Sequence, residues 1–455
     1  TGKMPNQNKS VRGEFAYAKS ALAELAQRAL SHAQTLGASA WDVAVTDGLG
    51  QRVTARLGEV ETIEYNRDKG VGVTVYVGQQ KGHASTSDFS AKAIEDAVRA
   101  AFSIARYTAA DDCAGLADPA RLAHNAPDLD LCHPWALTVE EAIAQAQQCE
   151  DAARAVDVRI SNSEGATVGT QCSHFIYANS NGFCDGYATS RHSISCSVIA
   201  ESASGMQRDY WYSVARRAQD MQGALDVGRI AGERTVRRLD ARKVATCQVP
   251  VLFEASLASG LIGHFVGAIS GSSLYRKSSF LLDSLGTQVF SPIVQLSERP
   301  HLPLGLASSA FDAEGVVTVD RELVSNGVVN GYILGSYSAR KLGMQSTGNA
   351  GGTHNLLLAS TGENFQQLLK KMGTGLLVTE LLGHGVNPVT GDYSRGAAGF
   401  WVENGVIAYP VEEITIAGNL RDMFKGIVAI GNDILVRGSK QCGSILIERM
   451  TVAGN

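Results

Sequence analysis

The segment VLFEASLASGLIGHFVGAISG, residues 251–271, is where the sequence comes nearest to metal chemistry. It predicts a short apolar strand followed by a helix, with His264 inside the apolar face of that helix. Peptide-cutting zinc helices carry H-E-x-x-H, in which two imidazoles share a face and the glutamate polarises water. No histidine in this chain is followed by glutamate. On its own pattern, His264 is therefore interpreted as a core or groove-lining residue.

Three other chemical patterns are weak. The segment GSSLYRKS, residues 271–278, lacks the glycine before lysine that lets a backbone wrap a phosphate. No serine has glycines two residues away on both sides, as a nucleophile elbow requires. Cys172, Cys184 and Cys196 recur every twelve residues, which we interpret as equivalent buried points on successive strands rather than a metal cluster.

The second candidate site is TGDYSRGAAGFWVENG, residues 390–405, which ends in an Asn-Gly hairpin turn. Asp392, Tyr393, Ser394 and Arg395 form a polar cluster framed by glycines. Glycines let another backbone approach closely, which an extended peptide bound by strand addition needs. The alternative is a tight β-bulge in which Arg395 and Asp392 form an internal pair.

Composition limits the partners. The chain has 455 residues and a net charge of -5 from 40 basic and 45 acidic residues, so it offers no basic field for nucleic acid or an anionic membrane. No apolar run reaches the roughly 18 residues of a membrane span, and the polar N-terminus shows no export signal. Eight cysteines without a C-x-x-C pair favour reduced thiols and a cytoplasmic location.

The elements that must position these residues predict an α+β fold. Apolar periodicity predicts helices at 14–36 and 90–107, and Thr138 with Glu141 forms a capping-box pattern that opens another helix. Helix-plus-antiparallel-sheet lobes precede a glycine-rich, predominantly β C-terminal domain. The predicted units are a disordered, tag-like 1–13, an N-terminal lobe 14–112, a central lobe 113–241 and a C-terminal domain 242–455.

Four blocks in register resemble the TldD/PmbA family, and in particular its PmbA (TldE) branch. They are TGDYSRGAAGFWVENG at 390–405, EITIAGNL at 413–420, SYSARKLG at 336–343 and YRKSSFLLDSLG at 275–286. The resemblance covers the chain from about residue 35 to its end. It implies a cytoplasmic zinc metalloprotease that trims peptide-antibiotic precursors and degrades small, loosely folded proteins such as antitoxins.

The resemblance also implies that this chain lacks the zinc site. In the TldD branch the equivalent helix carries H-E-x-x-x-H, and here Ser259, Gly260 and His264 occupy the positions of the first histidine, the glutamate and the second histidine. Serine is a poor zinc ligand and glycine cannot act as a base. We therefore expect no catalytic or metal-binding residue in this chain alone and no cofactor bound by it, with zinc in a TldD-type partner subunit.

The expected partners are that TldD-type subunit, in a heterodimer, and extended or unfolded peptides. The substrate-binding candidates are His264, Asp392, Tyr393, Ser394 and Arg395. A homodimer is possible for the isolated chain, and neither nucleic acid nor a membrane is expected as a partner.

Two alternatives stay open. One is an independent metallopeptidase that uses His264 with His354, His384 or Glu254. The other is a regulatory protein that binds gyrase, as the family's historical label suggests.

Overall fold

The computed structural model describes residues 15–454, so the tag-like segment expected at 1–13 lies outside the described residues. The strands of the first half are β1 (Ala40–Arg56), β2 (Glu59–Val77), β3 (Gln80–Thr86), β4 (Ile160–Asn179), β5 (Cys184–Asp185), β6 (Ala188–Ser202) and β7 (Gly205–Ala215). They form one antiparallel sheet in the order β3-β2-β1-β4-β6-β7, with β5 paired to β4. One sheet thus runs through both predicted lobes, whose boundaries stay a prediction.

The strands of this sheet are longer than the sequence pattern predicted. The alternation in WDVAVTD (41–47) and RVTARLG (52–58) predicts two separate strands, but they join in β1 because Gly48 and Gly50 continue the pairing with β2 and β4. The β1–β2 hairpin turns at Leu57 and Gly58, both with positive φ. The Asn, Ser and Gly residues of SNSEG (161–165) predict a turn, and this prediction is wrong, because β4 continues through the segment with an irregularity next to Gly165.

The helices of the first half are α1 (Lys19–Leu36), α2 (Ala91–Tyr107), α3 (Val139–Arg154) and α4 (Ala224–Val236). Their apolar faces build two cores on the sheet, one under α1 and α2 and one under α3 and α4. The predicted end of α1 is confirmed, since Gly37 caps it with φ 89°, but α1 begins at Lys19 and not at the predicted residue 14. The predicted start of α2 is confirmed, since the Ser90 side chain accepts from the backbone of this helix. The capping box of Thr138 and Glu141 opens α3.

The strands of the second half are β8 (Cys247–Phe253), β9 (Leu296–Arg299), β10 (Arg321–Ser325), β11 (Val328–Val329), β12 (Asn355–Leu358), β13 (Gly375–Leu382), β14 (Asp392–Glu403), β15 (Val406–Asn419), β16 (Ile427–Ile430), β17 (Leu435–Val436), β18 (Lys440–Cys442) and β19 (Ile445–Ala453). One sheet has the order β15-β14-β13-β8-β19-β16, and an added β15–β19 pairing closes five of these strands into a ring. The other sheet has the order β11-β10-β9-β12-β18-β17. The predicted α+β class with a strand-rich C-terminal domain is confirmed.

The helices of the second half are α5 (Ala255–Ala268), α6 (Gly271–Tyr275), α7 (Ser336–Leu342), α8 (Phe365–Met372) and α9 (Leu420–Lys425). Helix α5 follows β8, which lies between β13 and β19 in the closed sheet. Its buried side chains, Leu261 and Phe265 among them, belong to the largest core. Within residues 15–454, no helix combines the length and apolarity needed to cross a bilayer.

Candidate functional site

Helix α5 presents His264 at the border between its buried and open faces. Leu261 and Phe265 on either side of it are buried in the core, whereas the His264 side chain is only partly covered. The helix is anchored by that apolar face, because three to four apolar residues per two turns hold a surface helix to its core. His264 is therefore a groove-lining residue.

The open face of α5 next to His264 is made of glycine. A Cβ built on Gly260 or Gly267 would have no heavy atom within 4 Å, and one on Gly263 would meet only the Lys440 side chain, at 3.6 Å. These positions share a face because they are three to four residues apart. The helix backbone is thus accessible, and an extended chain can approach it without displacing a side chain.

The polar cluster of β14 divides between two faces of the strand. Tyr393 is buried and Arg395 partly buried, whereas Asp392 and Ser394 are exposed, as alternation along a strand requires. The rings of Tyr393 and His264 meet edge to face, with centroids 6.0 Å apart and an interplanar angle of 83°. The structure brings His264, Tyr393 and Arg395 together and turns Asp392 and Ser394 away.

The alternative of an internal Arg395–Asp392 pair is wrong. The guanidinium of Arg395 donates to the carbonyl of Gly383 at 2.9 Å. The carboxylate of Asp392 instead accepts from the hydroxyl of Thr390 at 2.9 Å and the amide of Asn419 at 3.2 Å. Asp392 therefore braces the turn before β14 and leaves Arg395 without a carboxylate partner within residues 15–454.

The electrostatics of this site favour an acceptor of hydrogen bonds over a cation. Burial, assisted by the positive charge of Arg395, lowers the pKa of His264. Burial raises the pKa of Tyr393 to about 12, although nearby Arg395 opposes the rise. The Tyr393 hydroxyl and the Arg395 Nε are buried and neither makes a well-formed hydrogen bond, although the two side chains lie next to each other. Unpaired donors of this kind suit the carbonyl or carboxylate oxygens of a bound chain.

The residues of α5 do not fit a zinc ion. His264 lies near enough to the Arg395 guanidinium for its charge to lower the pKa of the imidazole, Gly260 has no side chain, and Ser259 offers only a hydroxyl. Within residues 15–454, no three His, Cys, Asp or Glu side chains are grouped as a metal site would need.

The alternative ligand set is not assembled either. Glu254 is held by the guanidinium of Arg234, and His354 is buried at 2.8 Å from the carbonyl of Gly348. His384 is exposed in the turn after β13. Of the evenly spaced cysteines, Cys172 and Cys196 are buried as expected, but Cys184 is exposed.

The sequence reasoning missed a polar cavity beside the first turn of α5. It has a volume of about 200 Å³ and is lined chiefly by arginines and carboxylates, including Arg234, Arg238, Arg437, Asp209 and Glu380. The Ser256 hydroxyl and the Nε of Arg234 and Arg437 are buried there without hydrogen-bond partners. The available signal was the number of arginines in the stretch 213–241, whose pattern by itself predicts only a helix.

Comparison with known proteins shows the class of protein to which this site and fold belong. Models of the PmbA/TldA metallopeptidase family match residues 41–105 as domain 1, 132–239 as the central domain and 246–454 as the C-terminal domain. The chain belongs to this family, as the four sequence blocks predicted.

Individual relatives place it within the family. The chain is 52% identical over 413 residues to the metalloprotease PmbA of Escherichia coli O157:H7, covering 91% of this chain and 92% of the relative. It is 50% identical over 449 residues to the metalloprotease PmbA homologue of Haemophilus influenzae, covering 98% of each. The predicted likeness to the PmbA branch is confirmed.

Solved structures agree in fold. A Bacteroides thetaiotaomicron protein described as a modulator of DNA gyrase superposes with a TM-score of 0.90 and 28% identity, covering 95% of this chain and 98% of that one. TldE from Thermococcus kodakarensis superposes with a TM-score of 0.83 over 94% of this chain and 99% of its own. At 18% identity, that second likeness concerns the fold alone.

Proposed function

We propose that this chain is the zinc-free subunit of a cytoplasmic two-subunit metallopeptidase, and that it holds the substrate while a TldD-type subunit carries the metal. The observation that carries the proposal is the guanidinium of Arg395 beside His264, at the helix where a metal site would need two further ligands. A positive charge there opposes the binding of a cation. Membership of a metallopeptidase family supports hydrolysis of peptides by the assembled enzyme.

The substrate-binding role rests on the glycine face of α5. Gly260 and Gly267 leave the helix surface open, and the Arg395 Nε and Tyr393 hydroxyl lie nearby without well-formed hydrogen bonds. An extended peptide offers one carbonyl per residue, so it can supply the missing acceptors. Compact proteins cannot present such a strand, so the substrates are loosely folded chains such as peptide-antibiotic precursors or antitoxins.

The first experiment separates the two subunits. Zinc content and peptide cleavage are measured for this chain alone, a TldD-type chain alone, and both together. We expect zinc in the TldD-type chain, almost none in this chain, and strong cleavage only in the mixture. Near-stoichiometric zinc in this chain, or chelator-sensitive cleavage by it alone, would overturn the proposal.

The second experiment tests the glycine face with Gly260→Leu. The added side chain enters open space, so folding is retained while the groove is filled. We expect a rise in KM of about tenfold for the mixture, the size of a lost contact of roughly 1.4 kcal/mol. Ala100→Leu, on the exposed side of α2, is the matched control and leaves KM unchanged. An unchanged KM for Gly260→Leu removes the substrate role of this face.

A further inference from the structure

The polar cavity beside the first turn of α5 lies at one end of the glycine face. Ser256, which lines this cavity, precedes Gly260 by four residues, and Gly263 and Gly267 continue the same stripe along the helix. The helix rises about 1.5 Å per residue, so the stripe from residue 267 to residue 256 is about 16 Å long. An extended chain covers that length with about five residues. A peptide on the glycine face can therefore reach the cavity.

The charges that line the cavity are neutralised with one exception. Its volume is about 200 Å³. Three of the arginines that line it pair with carboxylates: Arg208 with Glu164, Arg234 with Glu254, and Arg238 with Asp209 and Glu380. Among the residues that the structure describes, no carboxylate lies within ion-pair distance of the fourth, Arg437. The cavity thus contains one guanidinium without a counterion.

Arg437, just after β17, is held in place by aromatic rings. Its guanidinium carbon lies 3.9 Å from the centroid of the Tyr212 ring and 4.2 Å from that of Trp211. Its Nη2 donates to the carbonyl of Tyr212 at 3.1 Å, but its Nε is buried without a hydrogen-bond partner. Burial lowers the pKa of Arg437, because the charged form loses water there. A guanidinium fixed in this way is preorganised for a planar carboxylate.

Two further donors line the cavity without a well-formed hydrogen bond. The Ser256 hydroxyl is buried and has no partner, and the Nε of Arg234, a residue 8% exposed, is 3.6 Å from Oδ2 of Asp209. Arg208 and Tyr210 on the lining are exposed, so the cavity is open to solvent. Unpaired buried donors call for an acceptor, and a carboxylate offers two oxygens with about four acceptor positions.

We propose that this cavity binds a carboxylate of the extended chain that lies on the glycine face, with Arg437 as the counterion and Ser256 as a second donor. A single free guanidinium matches a singly charged carboxylate better than a doubly charged phosphate, because the other arginines are already paired. The inference rests on the proposed function, in which the glycine face holds the substrate. Two sources share this chemistry, the C-terminal carboxylate of a peptide and an acidic side chain within it.

The main experiment measures binding of three short alanine peptides to the full-length chain by fluorescence anisotropy of an N-terminal label. The first peptide ends in a free carboxylate, the second in an amide, and the third in an amide with one internal glutamate. We expect the free carboxylate to bind at least about tenfold more tightly than the plain amide, the size of hydrogen bonds to a charged group. The glutamate restores the affinity of the amide only if an acidic side chain enters the cavity.

Two variants assign this preference to the cavity. Arg437→Gln removes the free charge, so we expect the affinities for the carboxylate and the amide peptides to become equal. Ser256→Asp places a carboxylate in the first turn of α5, where the helix dipole favours one, so the fold is retained while the cavity holds its own anion. The same loss of preference is expected. Arg99→Gln, exposed on α2, is the matched control and keeps the preference.

Tryptophan fluorescence then locates the bound peptide. Trp211 lines the cavity and lies against Arg437, so the unlabelled carboxylate peptide should change the emission of the parent chain. Trp211→Phe keeps an aromatic ring beside the guanidinium but removes that change. A change of the same size in Trp211→Phe would place the peptide elsewhere and count against the cavity.

Equal affinity for all three peptides, or a carboxylate preference that survives in both Arg437→Gln and Ser256→Asp, would overturn the inference. These readouts need neither zinc nor cleavage, so they are separate from the test of the proposed function. A cavity-dependent preference in a chain that proves to hold zinc would support the carboxylate site and reject the zinc-free role. No preference in a chain that lacks zinc and cleaves only with its partner would reject the carboxylate site alone.

Discussion

At the residue scale, the imidazole of His264 takes its properties from a strand that is remote in sequence. Burial on α5 and the guanidinium of Arg395 on β14 both disfavour its charged form and lower its pKa. In the unfolded chain that influence is lost and the pKa returns to about 6.5. The native state therefore holds fewer protons at His264 than the unfolded state between the lowered pKa and about pH 6.5.

The sign of the resulting pH dependence follows from linkage. Because the unfolded state binds more protons in that window, the free energy of unfolding falls as the pH decreases through it. Arg395→Gln removes the neighbouring charge, so we expect the pKa of His264 to rise toward its ordinary value and this loss of stability to become smaller. NMR titration of the ring gives the pKa directly, and urea unfolding at several pH values gives the stability.

Arg99→Gln serves as the control, since Arg99 is exposed on α2, which packs on the first sheet, whereas α5 belongs to the core of the second half. It leaves the pKa of His264 where it is. If Arg395→Gln also leaves the pKa of His264 unchanged, the charge of Arg395 has no effect on the imidazole.

At the element scale, glycines in helices or packed against them serve two different purposes. A Cβ on Gly228 of α4 would lie 1.9 Å from the carbonyl oxygen of Cys149 on α3, so the two helices cross with their backbones nearly in contact. Gly82 allows β3 the same approach to Ala101 of α2, at 2.0 Å. Gly260 of α5 faces open space instead. The first two are explained by packing, but packing offers no reason for a glycine at Gly260.

This contrast predicts opposite effects for one chemical change. Gly228→Ala forces α3 and α4 apart and lowers the free energy of unfolding by about 1–3 kcal/mol, as overpacking does. Gly260→Ala meets no atom and gains helix propensity, so it raises that free energy by up to about 1 kcal/mol. Thermal and urea unfolding of the two variants measure both changes. Equal effects would show that Gly228 is not a point of contact.

At the scale of the whole molecule, buried polar contacts join the first sheet to the second half of the chain. Arg216, just after β7, is 9% exposed and donates to the carbonyls of Ser190 at 3.2 Å, Gly305 at 3.3 Å and Leu306 at 3.0 Å. Ser190 belongs to the first sheet, whereas Gly305 and Leu306 follow β9. A small aromatic core that includes Phe183 and Phe311 crosses the same boundary.

Arg216→Met tests how strongly this contact holds the two halves together. Methionine keeps much of the side-chain volume but leaves the buried carbonyls without donors, so we expect a loss of about 2–3 kcal/mol of unfolding free energy. The neighbouring Arg217 is only half-buried and pairs with Asp220 at 2.7 Å, and Arg217→Met should change stability by less than about 1 kcal/mol. Similar values for the two variants would contradict the joining role of Arg216.

Part of the fold could be predicted because its signals are local. Ser90, Thr138 and Gly37 mark helix ends through hydrogen bonds and backbone conformations that involve only a few neighbouring residues. The same local reasoning was wrong at SNSEG, where pairing of β4 with β6 on one side overrode a turn-like composition. Turn residues set a preference, and the surrounding sheet decided the outcome.

The candidate site, like the fold, could be predicted from the sequence only in part. The sequence by itself determined the family, the lack of H-E-x-x-H, and the presence of Ser259, Gly260 and His264 at the decisive helix positions, because these follow from the order of residues alone. Only the tertiary structure decided that the Tyr393 ring meets His264 and that the charge of Arg395 acts on it, while Asp392 and Ser394 are exposed on the other face of β14. That choice depends on β8 and β13 lying side by side in one closed sheet, a pairing between distant segments that no local pattern encodes.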